Sequence, residues 1–276
     1  MPGADPVVRY EVADRVATVT LNRPEARNAL NRLLTRSLWE AVADAGDDPD
    51  IDVVILTGAD PAFCAGVDLK EITGQDSAAE PSDPPDRSQP PVRAGPGPAR
   101  DVNGLYRFIP LIDKPVIGAI NGVAATGGFE VALQCTFLVA SEKARFVDTH
   151  ARVGVMPGGG ITVLMAQSLG LRRAIEASLT GNFINAAEAQ SLGLVNHVVP
   201  HEELLPFARR LAADIVSNDQ VGVRRLLRHY RQVANAATLD EAHLIEGYMA
   251  ETWRPGTSLI EERRAAVTAR GRAQAP

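Results

Sequence analysis

The sequence predicts an α/β fold, and three stretches of chain carry that prediction. Residues 16–21 (VATVTL) alternate and are rich in β-branched side chains, as expected of a strand that stops at the Pro-containing turn 22–24. From Leu30 to Ala45 apolar residues recur at a spacing near 3.6, with Asn28 or Asn31 available as the N-terminal cap, which indicates a helix. Residues 53–57 (VVILT) form a continuous apolar run, typical of a strand buried on both faces. Strand, helix and strand in succession make an α/β unit.

The composition changes between residues 75 and 100, where Pro, Ser, Asp and Gly dominate. Such a stretch cannot bury enough apolar surface to order itself, so we predict a mobile Pro-rich surface insertion there. A linker between two domains is the alternative, because compact domains seldom contain structureless loops of this length.

Residues 115–140 contain a single charge, Glu130, in an apolar stretch long enough to suggest a membrane span. Glycines at positions 122, 127 and 128 interrupt it, together with several polar side chains. These breaks favour a buried strand over 116–120, a glycine-rich turn and a buried helix. We therefore predict no membrane association.

The rest of the chain is predicted to be a strand at 137–140 followed mainly by helices. No internal period typical of a repeat protein is present. We predict a core over residues 1–200, containing the 75–100 insertion, and a helical C-terminal region over 201–276. The helical patterns fall at residues 161–169, 171–179, 186–192, 201–217, 220–233, 238–252 and 258–270.

With 276 residues, of which 45% are hydrophobic and 22% charged, the chain has the composition of a globular protein with a substantial core. The net charge of −6 gives no reason to expect nucleic acid or an anionic membrane as a partner. Two cysteines, Cys64 and Cys135, lie in apolar surroundings, which argues against a disulfide framework and favours a reducing compartment. The polar segment 1–14 lacks a signal-peptide pattern, so we predict a cytoplasmic location.

Several catalytic signatures are absent from the sequence: the G-x-S-x-G elbow, the H-E-x-x-H zinc pair, the Walker A loop and a G-x-G-x-x-G turn after a strand. His197 and His201 are four residues apart, but Pro200 prevents a helix from presenting both to one metal ion. We therefore predict no metal site.

Two glycine-containing turns follow buried strands. Residues 63–69 (FCAGVDL) can aim a backbone N–H into a pocket. In residues 121–130 (NGVAATGGFE), Gly127 and Gly128 begin a helix, where free N–H groups and the helix dipole can stabilise a developing oxyanion. Glu130 lies in the first turn of that helix, and burial would raise its pKa towards neutrality, as a general acid or base requires.

Together these two turns resemble the signature motifs of the crotonase, or enoyl-CoA hydratase/isomerase, superfamily. The resemblance extends over residues 7–270, with the Pro-rich stretch as an insertion. Supporting segments, in chain order, are LNRP (21–24), NAL (28–30), KPVI (114–117), PGGG (157–160), LTG (179–181) and residues 187–195.

The resemblance implies a crotonase-like spiral of ββα repeats with a C-terminal helical trimerisation region, assembled as a homotrimer or as a hexamer. It also implies an acyl-CoA thioester substrate, so that coenzyme A is part of the substrate and no separate cofactor is expected. Backbone N–H groups of Val67 and Gly127 would form the oxyanion hole. Arg27 and Lys70 are expected to bind the phosphate and ribose end of coenzyme A, or else to be solvated surface charges. The full set of expected substrate-binding residues is Ala65, Gly66, Asp68, Arg27 and Lys70.

This sequence departs from the family hydratases at one position. They carry a second glutamate twenty residues after the one that matches Glu130, and here that residue is His150. An imidazole titrates near pH 6.5, so His150 can replace the missing acid or base, and Asp148 can orient it; a histidine that only hydrogen-bonds in the pocket wall is the alternative. Three functions stay open: hydration of a 2-enoyl-CoA by Glu130 and His150, isomerisation of an enoyl-CoA by Glu130 alone, and acyl-CoA binding without turnover.

Overall fold

The computed structural model describes residues 5–72, 99–100, 105–253 and 257–274. Of the predicted 75–100 insertion, all but residues 99–100 lie outside the described residues. The chain forms two compact units, Met1–Arg224 and Arg225–Pro276. The proposed division into a core over 1–200 and a helical region over 201–276 remains a prediction.

The strands and helices alternate along the first two hundred residues, as predicted, and helices follow. The strands are β1 (Val8–Ala13), β2 (Val16–Leu21), β3 (Val53–Gly58), β4 (Ala62–Cys64), β5 (Ala99–Arg100), β6 (Tyr106–Arg107), β7 (Val116–Ile120), β8 (Val123–Ala125), β9 (Phe137–Ser141), β10 (Arg145–Val147), β11 (Ile184–Asn185) and β12 (His197–Val199). The α-helices are α1 (Arg32–Asp47), α2 (Leu69–Ile72), α3 (Gly127–Leu133), α4 (His150–Val153), α5 (Ile161–Leu169), α6 (Leu171–Thr180), α7 (Ala186–Ser191), α8 (Leu204–Val216), α9 (Gln220–Ala234), α10 (Leu239–Thr252) and α11 (Thr257–Gln274).

The strands form two mixed sheets and a short hairpin of β5 with β6. The larger sheet has the order β1-β2-β3-β7-β9-β12, in which only the β1–β2 pair is antiparallel. The smaller sheet has the order β11-β10-β8-β4, in which β10 and β11 are antiparallel. Strands β3 and β7 are buried along their whole length, which explains their continuous apolar sequences.

Helices cover both faces of the larger sheet. Helix α1 begins where the Asn31 side chain accepts a hydrogen bond from the Leu34 N–H, two residues later than the sequence predicted. Its buried face includes Leu34 and Leu38 and joins the main apolar core. On the other face, α8 packs against the sheet in a second cluster. The helix predicted over 201–217 is found as a 3₁₀ turn, His201–Glu203, followed directly by α8.

The connections between the sheets position the glycine turns. Strand β3 leads into β4 and strand β7 leads into β8, so that each long buried strand is followed by a short strand of the smaller sheet. Strands β4 and β8 are parallel neighbours, and the two turns that follow them therefore emerge side by side. This arrangement brings together segments about sixty residues apart in sequence.

The second unit differs from the first in burial. Among the described residues, neither α9 nor α10 has a buried residue. No described helix has both the length and the apolar content that crossing a bilayer requires. The exposed large apolar side chains of this unit include Leu226, Tyr230, Leu239, Leu244, Tyr248, Ile260 and Val267.

Candidate active site

The turn after β4 presents the N–H of Val67 on its open side. Gly66 has a φ of +94°, a conformation that favours glycine, and a single parallel bridge joins Val67 to Leu30. In that bridge the Leu30 N–H donates to the Gly66 carbonyl at 2.8 Å and the Asp68 N–H donates to the Leu30 carbonyl at 2.9 Å. Because successive backbone groups of an extended chain point to opposite sides, the Val67 N–H faces away from Leu30.

The turn after β8 brings a second backbone donor to the same place. Helix α3 begins at Gly127, whose N–H has no partner within the helix. A Cβ added to Gly127 would lie 3.4 Å from the Val67 nitrogen, and one added to Gly66 would lie 3.4 Å from the Gly127 nitrogen. Neither of these N–H groups donates to another group of the described residues. The geometry is that of a two-donor site for an oxyanion.

Close packing of the two turns depends on Gly128. A Cβ at this position would lie 2.2 Å from the Cys64 carbonyl oxygen and 2.7 Å from the Cys64 Cβ. No ordinary contact is that short, so the second glycine of the turn lets the start of α3 touch the end of β4.

Asn28 and Arg23 support the first turn from behind. The buried Asn28 amide donates to the carbonyls of Ala59, Ala62 and Phe63 at 2.7–3.2 Å, while its Oδ1 accepts from the Arg23 N–H. The Arg23 guanidinium binds the Asp68 carboxylate at 3.3 Å. These contacts fix the chain on either side of Val67.

Glu130 is buried in the first turn of α3. Its Oε1 accepts the N–H groups of Gly159 at 2.7 Å and Ile161 at 3.3 Å, whereas Oε2 accepts no hydrogen bond from the described residues. Burial raises the pKa of this carboxyl, although the hydrogen bond from Gly159, the charge of His150 and the hydrogen bond from Ile161 oppose the rise. Because Oε1 accepts two hydrogen bonds and Oε2 accepts none from the described residues, the protonated carboxyl can carry its proton on Oε2.

Gln134, one helical turn after Glu130, holds the Gly159 segment from the other side. Its Nε2 donates to the Gly159 carbonyl at 2.7 Å, and its Oε1 accepts the N–H groups of Phe108 and Ile109. Gly159 also has no room for a side chain, since a Cβ there would lie 2.9 Å from the Glu130 carboxyl carbon. The Glu130 carboxyl is thus fixed in direction by backbone groups that Gln134 keeps in place.

His150 begins the short helix α4 and is hydrogen-bonded to Asp148. The His150 Nδ1 lies 2.6 Å from Asp148 Oδ1, which also accepts the His150 N–H at 3.0 Å, and Ser178 Oγ donates to Asp148 Oδ2 at 2.7 Å. Burial would raise the pKa of Asp148, but the hydrogen bonds from His150 and Ser178 outweigh it and hold this pKa below its ordinary value. An ionised Asp148 on Nδ1 leaves Nε2 of His150 for proton transfer.

The protein-family model for Enoyl-CoA hydratase/isomerase matches residues 11–254 of this chain. The "Probable enoyl-CoA hydratase 1, peroxisomal" of Arabidopsis thaliana is 40% identical over 211 residues, which are 76% of this chain and 73% of that protein. The chain belongs to the enoyl-CoA hydratase/isomerase family.

Solved structures of this family share the fold. An enoyl-CoA hydratase from Mycobacterium tuberculosis H37Rv is 45% identical, with a TM-score of 0.71 over 89% of this chain and 98% of that one. A monofunctional enoyl CoA isomerase from M. smegmatis is 28% identical, with a TM-score of 0.66 over 86% of this chain and 98% of that one. The α/β crotonase fold predicted from the sequence is confirmed, with two mixed sheets and C-terminal helices. Because relatives of both names share the fold, family membership alone does not fix the reaction.

The residues expected to bind substrate differ in their surroundings: some hold the turn in shape, and others have exposed side chains. Asp68 is engaged by Arg23, and the exposed Ala65 donates its N–H to the Arg27 carbonyl at 3.0 Å, so both help to shape the turn. Arg27 and Lys70 have exposed side chains beside the same turn. Among the described residues, no group of three His, Cys, Asp or Glu side chains could hold a metal ion.

Sequence reasoning missed three residues of this family member's site: Ser178, Gln134 and Gly159. Ser178 is thirty residues from Asp148, and no local pattern marks the pair. Gln134 had one signal, since it is a polar side chain seven residues after Gly127 in an apolar helix. Gly159 lies within the PGGG segment (157–160), and no local pattern pairs its N–H with the Glu130 carboxyl.

Proposed function

We propose that the protein hydrates a 2-enoyl-CoA thioester to a 3-hydroxyacyl-CoA, with His150 and Glu130 as the two proton-transfer groups. The observation that carries the proposal is the 2.6 Å hydrogen bond between buried Asp148 and His150, whose charge acts on Glu130, since a histidine that served only as pocket wall would not need a buried carboxylate of its own. Family membership at this level of identity supports the substrate class.

The thioester carbonyl is held by the N–H groups of Val67 and Gly127. Both donors are backbone groups, so they are in place before charge develops on the oxygen. Each such donor typically contributes about 3 kcal/mol of transition-state stabilisation. Polarisation of the carbonyl makes C3 of the conjugated double bond electrophilic.

Hydration in this site uses His150 as the proton acceptor and Glu130 as the proton donor. Water attacks C3 and gives its proton to Nε2 of His150, while the C2–C3 π electrons move to form the enolate on the thioester oxygen. Asp148 stabilises the resulting imidazolium. Glu130 donates the proton on Oε2 to C2, and proton transfer from His150 restores Glu130. The raised pKa of Glu130 and the lowered pKa of Asp148 suit these two roles.

Isomerisation is the second candidate, and the geometry of Glu130 favours it independently of His150. A single carboxyl beside an oxyanion hole can take a proton from C2 of a 3-enoyl-CoA and return it to C4. Binding of acyl-CoA without turnover is the third candidate. It needs the oxyanion hole but requires neither the Glu130 nor the His150 side chain.

One set of assays separates the three. Wild type, Glu130→Gln and His150→Ala are each incubated with crotonyl-CoA and with a 3-enoyl-CoA, and the conjugated thioester is followed by its absorbance. We expect hydration by the wild type and a loss of about 10²–10⁴-fold in each variant. Hydration that survives His150→Ala would refute the histidine mechanism, isomerisation that survives it would favour the second candidate, and tight binding without turnover would favour the third.

The coenzyme A end and the assembly belong to the same proposal. Exposed Arg27 and Lys70 flank the turn that carries Val67, where a nucleotide phosphate would lie if the thioester occupies the oxyanion hole.

The exposed apolar side chains of the second unit support a homotrimer or hexamer, because soluble proteins seldom leave so many uncovered. Light scattering of the purified protein tests the assembly, and the salt dependence of acyl-CoA affinity in Arg27→Ala tests the phosphate contact. We propose a cytoplasmic location.

A further inference from the structure

Phe108 lies against both halves of the site. A Cβ added to Gly127 would be 3.3 Å from Phe108 Cζ, and a Cβ added to Gly159 would be 2.7 Å from Phe108 Cε2. The ring is 1% exposed. One edge of this aromatic side chain therefore passes from the oxyanion donor at Gly127 to the residue that hydrogen-bonds Glu130.

The two glycines make the room for this ring. A side chain at either position would occupy space that the ring now fills, and at Gly159 the overlap would be severe. In a close-packed interior such a fit leaves little free volume for a further group.

Gln134 prevents the ring from moving aside easily. Its Oε1 accepts the N–H groups of Phe108 at 2.9 Å and Ile109 at 3.1 Å, and its Nε2 donates to the Gly159 carbonyl at 2.7 Å. A shift of the Phe108 backbone would break buried hydrogen bonds, and it would disturb the segment that holds Glu130.

The position of the ring matters for the acyl chain. In the reaction proposed above, the thioester oxygen is bound at Gly127 and C2 is protonated by Glu130, which places C1, C2 and C3 between two parts of the site that the Phe108 edge lies against. Carbons beyond C3 then extend towards the ring. A short acyl group ends there, whereas a long one has to displace a buried aromatic side chain.

Resting on the function proposed above, we propose that Phe108 is the specificity-determining residue that restricts this enzyme to short-chain 2-enoyl-CoA substrates. Phe108 makes no contact with the reacting protons and acts only through the volume it fills.

Binding of saturated acyl-CoA esters tests the restriction without requiring turnover. Butyryl-CoA and octanoyl-CoA are titrated calorimetrically into wild type, Phe108→Ala, Phe108→Leu and the control Phe207→Ala. Phe207 lies on α8 in the apolar cluster on the other face of the larger sheet, so its loss removes a phenylalanine of comparable size away from the site. Thermal unfolding of each variant shows that the folded protein is being titrated.

We expect the wild type and Phe207→Ala to bind octanoyl-CoA at least about 100-fold more weakly than butyryl-CoA, since even one misfitting methylene costs about tenfold or more and the octanoyl chain is longer than the butyryl chain. In Phe108→Ala this ratio falls to within about threefold of unity, and in Phe108→Leu it takes an intermediate value. If Phe108→Ala does not fold, the Phe108→Leu ratio decides.

Equal binding of the two esters by the wild type would overturn the proposal, as would a ratio unchanged in both Phe108 variants. Failure to bind either ester would overturn it together with the proposed function. The expected ratios without hydration of crotonyl-CoA would overturn the proposed function and leave the role of Phe108 standing.

Discussion

The proposed oxyanion hole and the proposed proton-transfer groups of this site are built from different parts of the chain. The first consists of backbone N–H groups of Val67 and Gly127, held by glycines that let two turns touch. The second consists of side chains, Glu130 and His150, each held by its own hydrogen-bond partners. We call the first the backbone half of the site and the second the side-chain half. Activity that relies on the backbone half should depend on how the two turns pack and little on side-chain chemistry. Activity that relies on the side-chain half should depend on single polar atoms.

Apart from replacing Glu130 or His150 themselves, the largest effect is expected from crowding the backbone half. In Gly128→Ala the new Cβ would meet the Cys64 carbonyl at 2.2 Å, so β4 and α3 must separate and the two donors lose their spacing. We expect kcat for crotonyl-CoA to fall by about 10²–10³-fold and stability to fall by about 1–3 kcal/mol, measured by steady-state kinetics and urea unfolding. Gly247→Ala is the control, because nothing lies within 4 Å of the added Cβ on α10. Wild-type activity in Gly128→Ala would show that the contact between the turns is not needed.

A smaller effect is expected from Asp148→Asn in the side-chain half. The amide keeps the shape of Asp148 but removes the charge that stabilises the His150 imidazolium, so we expect kcat to fall by about 10²-fold and the pH profile to change shape. Affinity for butyryl-CoA should stay at the wild-type value, because Asp148 lies behind His150. An unaltered pH profile would mean that Asp148 does not act through His150.

Ser178→Ala should have a weaker effect, visible mainly on the acid side. The pKa of Asp148 is lowered in the folded protein, so its contribution to stability is complete above the ordinary carboxyl pKa and is lost as pH falls through the folded-state value. Removing the Ser178 hydrogen bond raises the folded-state pKa, and acid unfolding then begins at a higher pH. Circular dichroism during acid titration measures the shift. Ser168→Ala is the control, because its hydroxyl donates only to the Leu164 carbonyl of its own helix; an equal shift there would exclude the specific role of Ser178.

The smallest effect is expected from Val67→Ala, which leaves the backbone donor intact. The Val67 side chain lies against Gly127, so we expect only a change of about threefold or less in kcat/KM, from slight loosening of the turn. Steady-state kinetics with crotonyl-CoA measures it. A tenfold loss would mean that the side chain itself contributes to the oxyanion half.

The sequence predicted this architecture well where local patterns set it. Strands at residues 16–21, 53–57, 116–120 and 137–140 are confirmed, because apolar runs of that length have few other stable arrangements. Element ends were less predictable: of the two candidate caps, Asn28 and Asn31, the structure uses Asn31, so α1 starts at Arg32 rather than at Leu30.

Within the site, the backbone half could be anticipated because its glycines form motifs in a continuous stretch of chain. The partners of the side-chain half could not, since Ser178 and Gly159 reach Asp148 and Glu130 only through tertiary packing. Phe108 had no sequence signal, as its neighbours in space come from α3 and from the turn before α5.

Helix α3 joins the two halves of the site in one short rigid element. Within eight residues lie the proposed oxyanion donor Gly127, the proposed acid Glu130 and, at the C-cap of the helix, Gln134. Their spacings are set by helical geometry rather than by separate loops, so a displacement of this helix moves all three together. Substitutions on this helix should therefore couple in their effect on kcat. A change at Gly128 that shifts the helix also displaces Glu130, so it removes much of the activity that Glu130→Gln would remove. The fold-loss of kcat in the double variant should be smaller than the product of the two single losses.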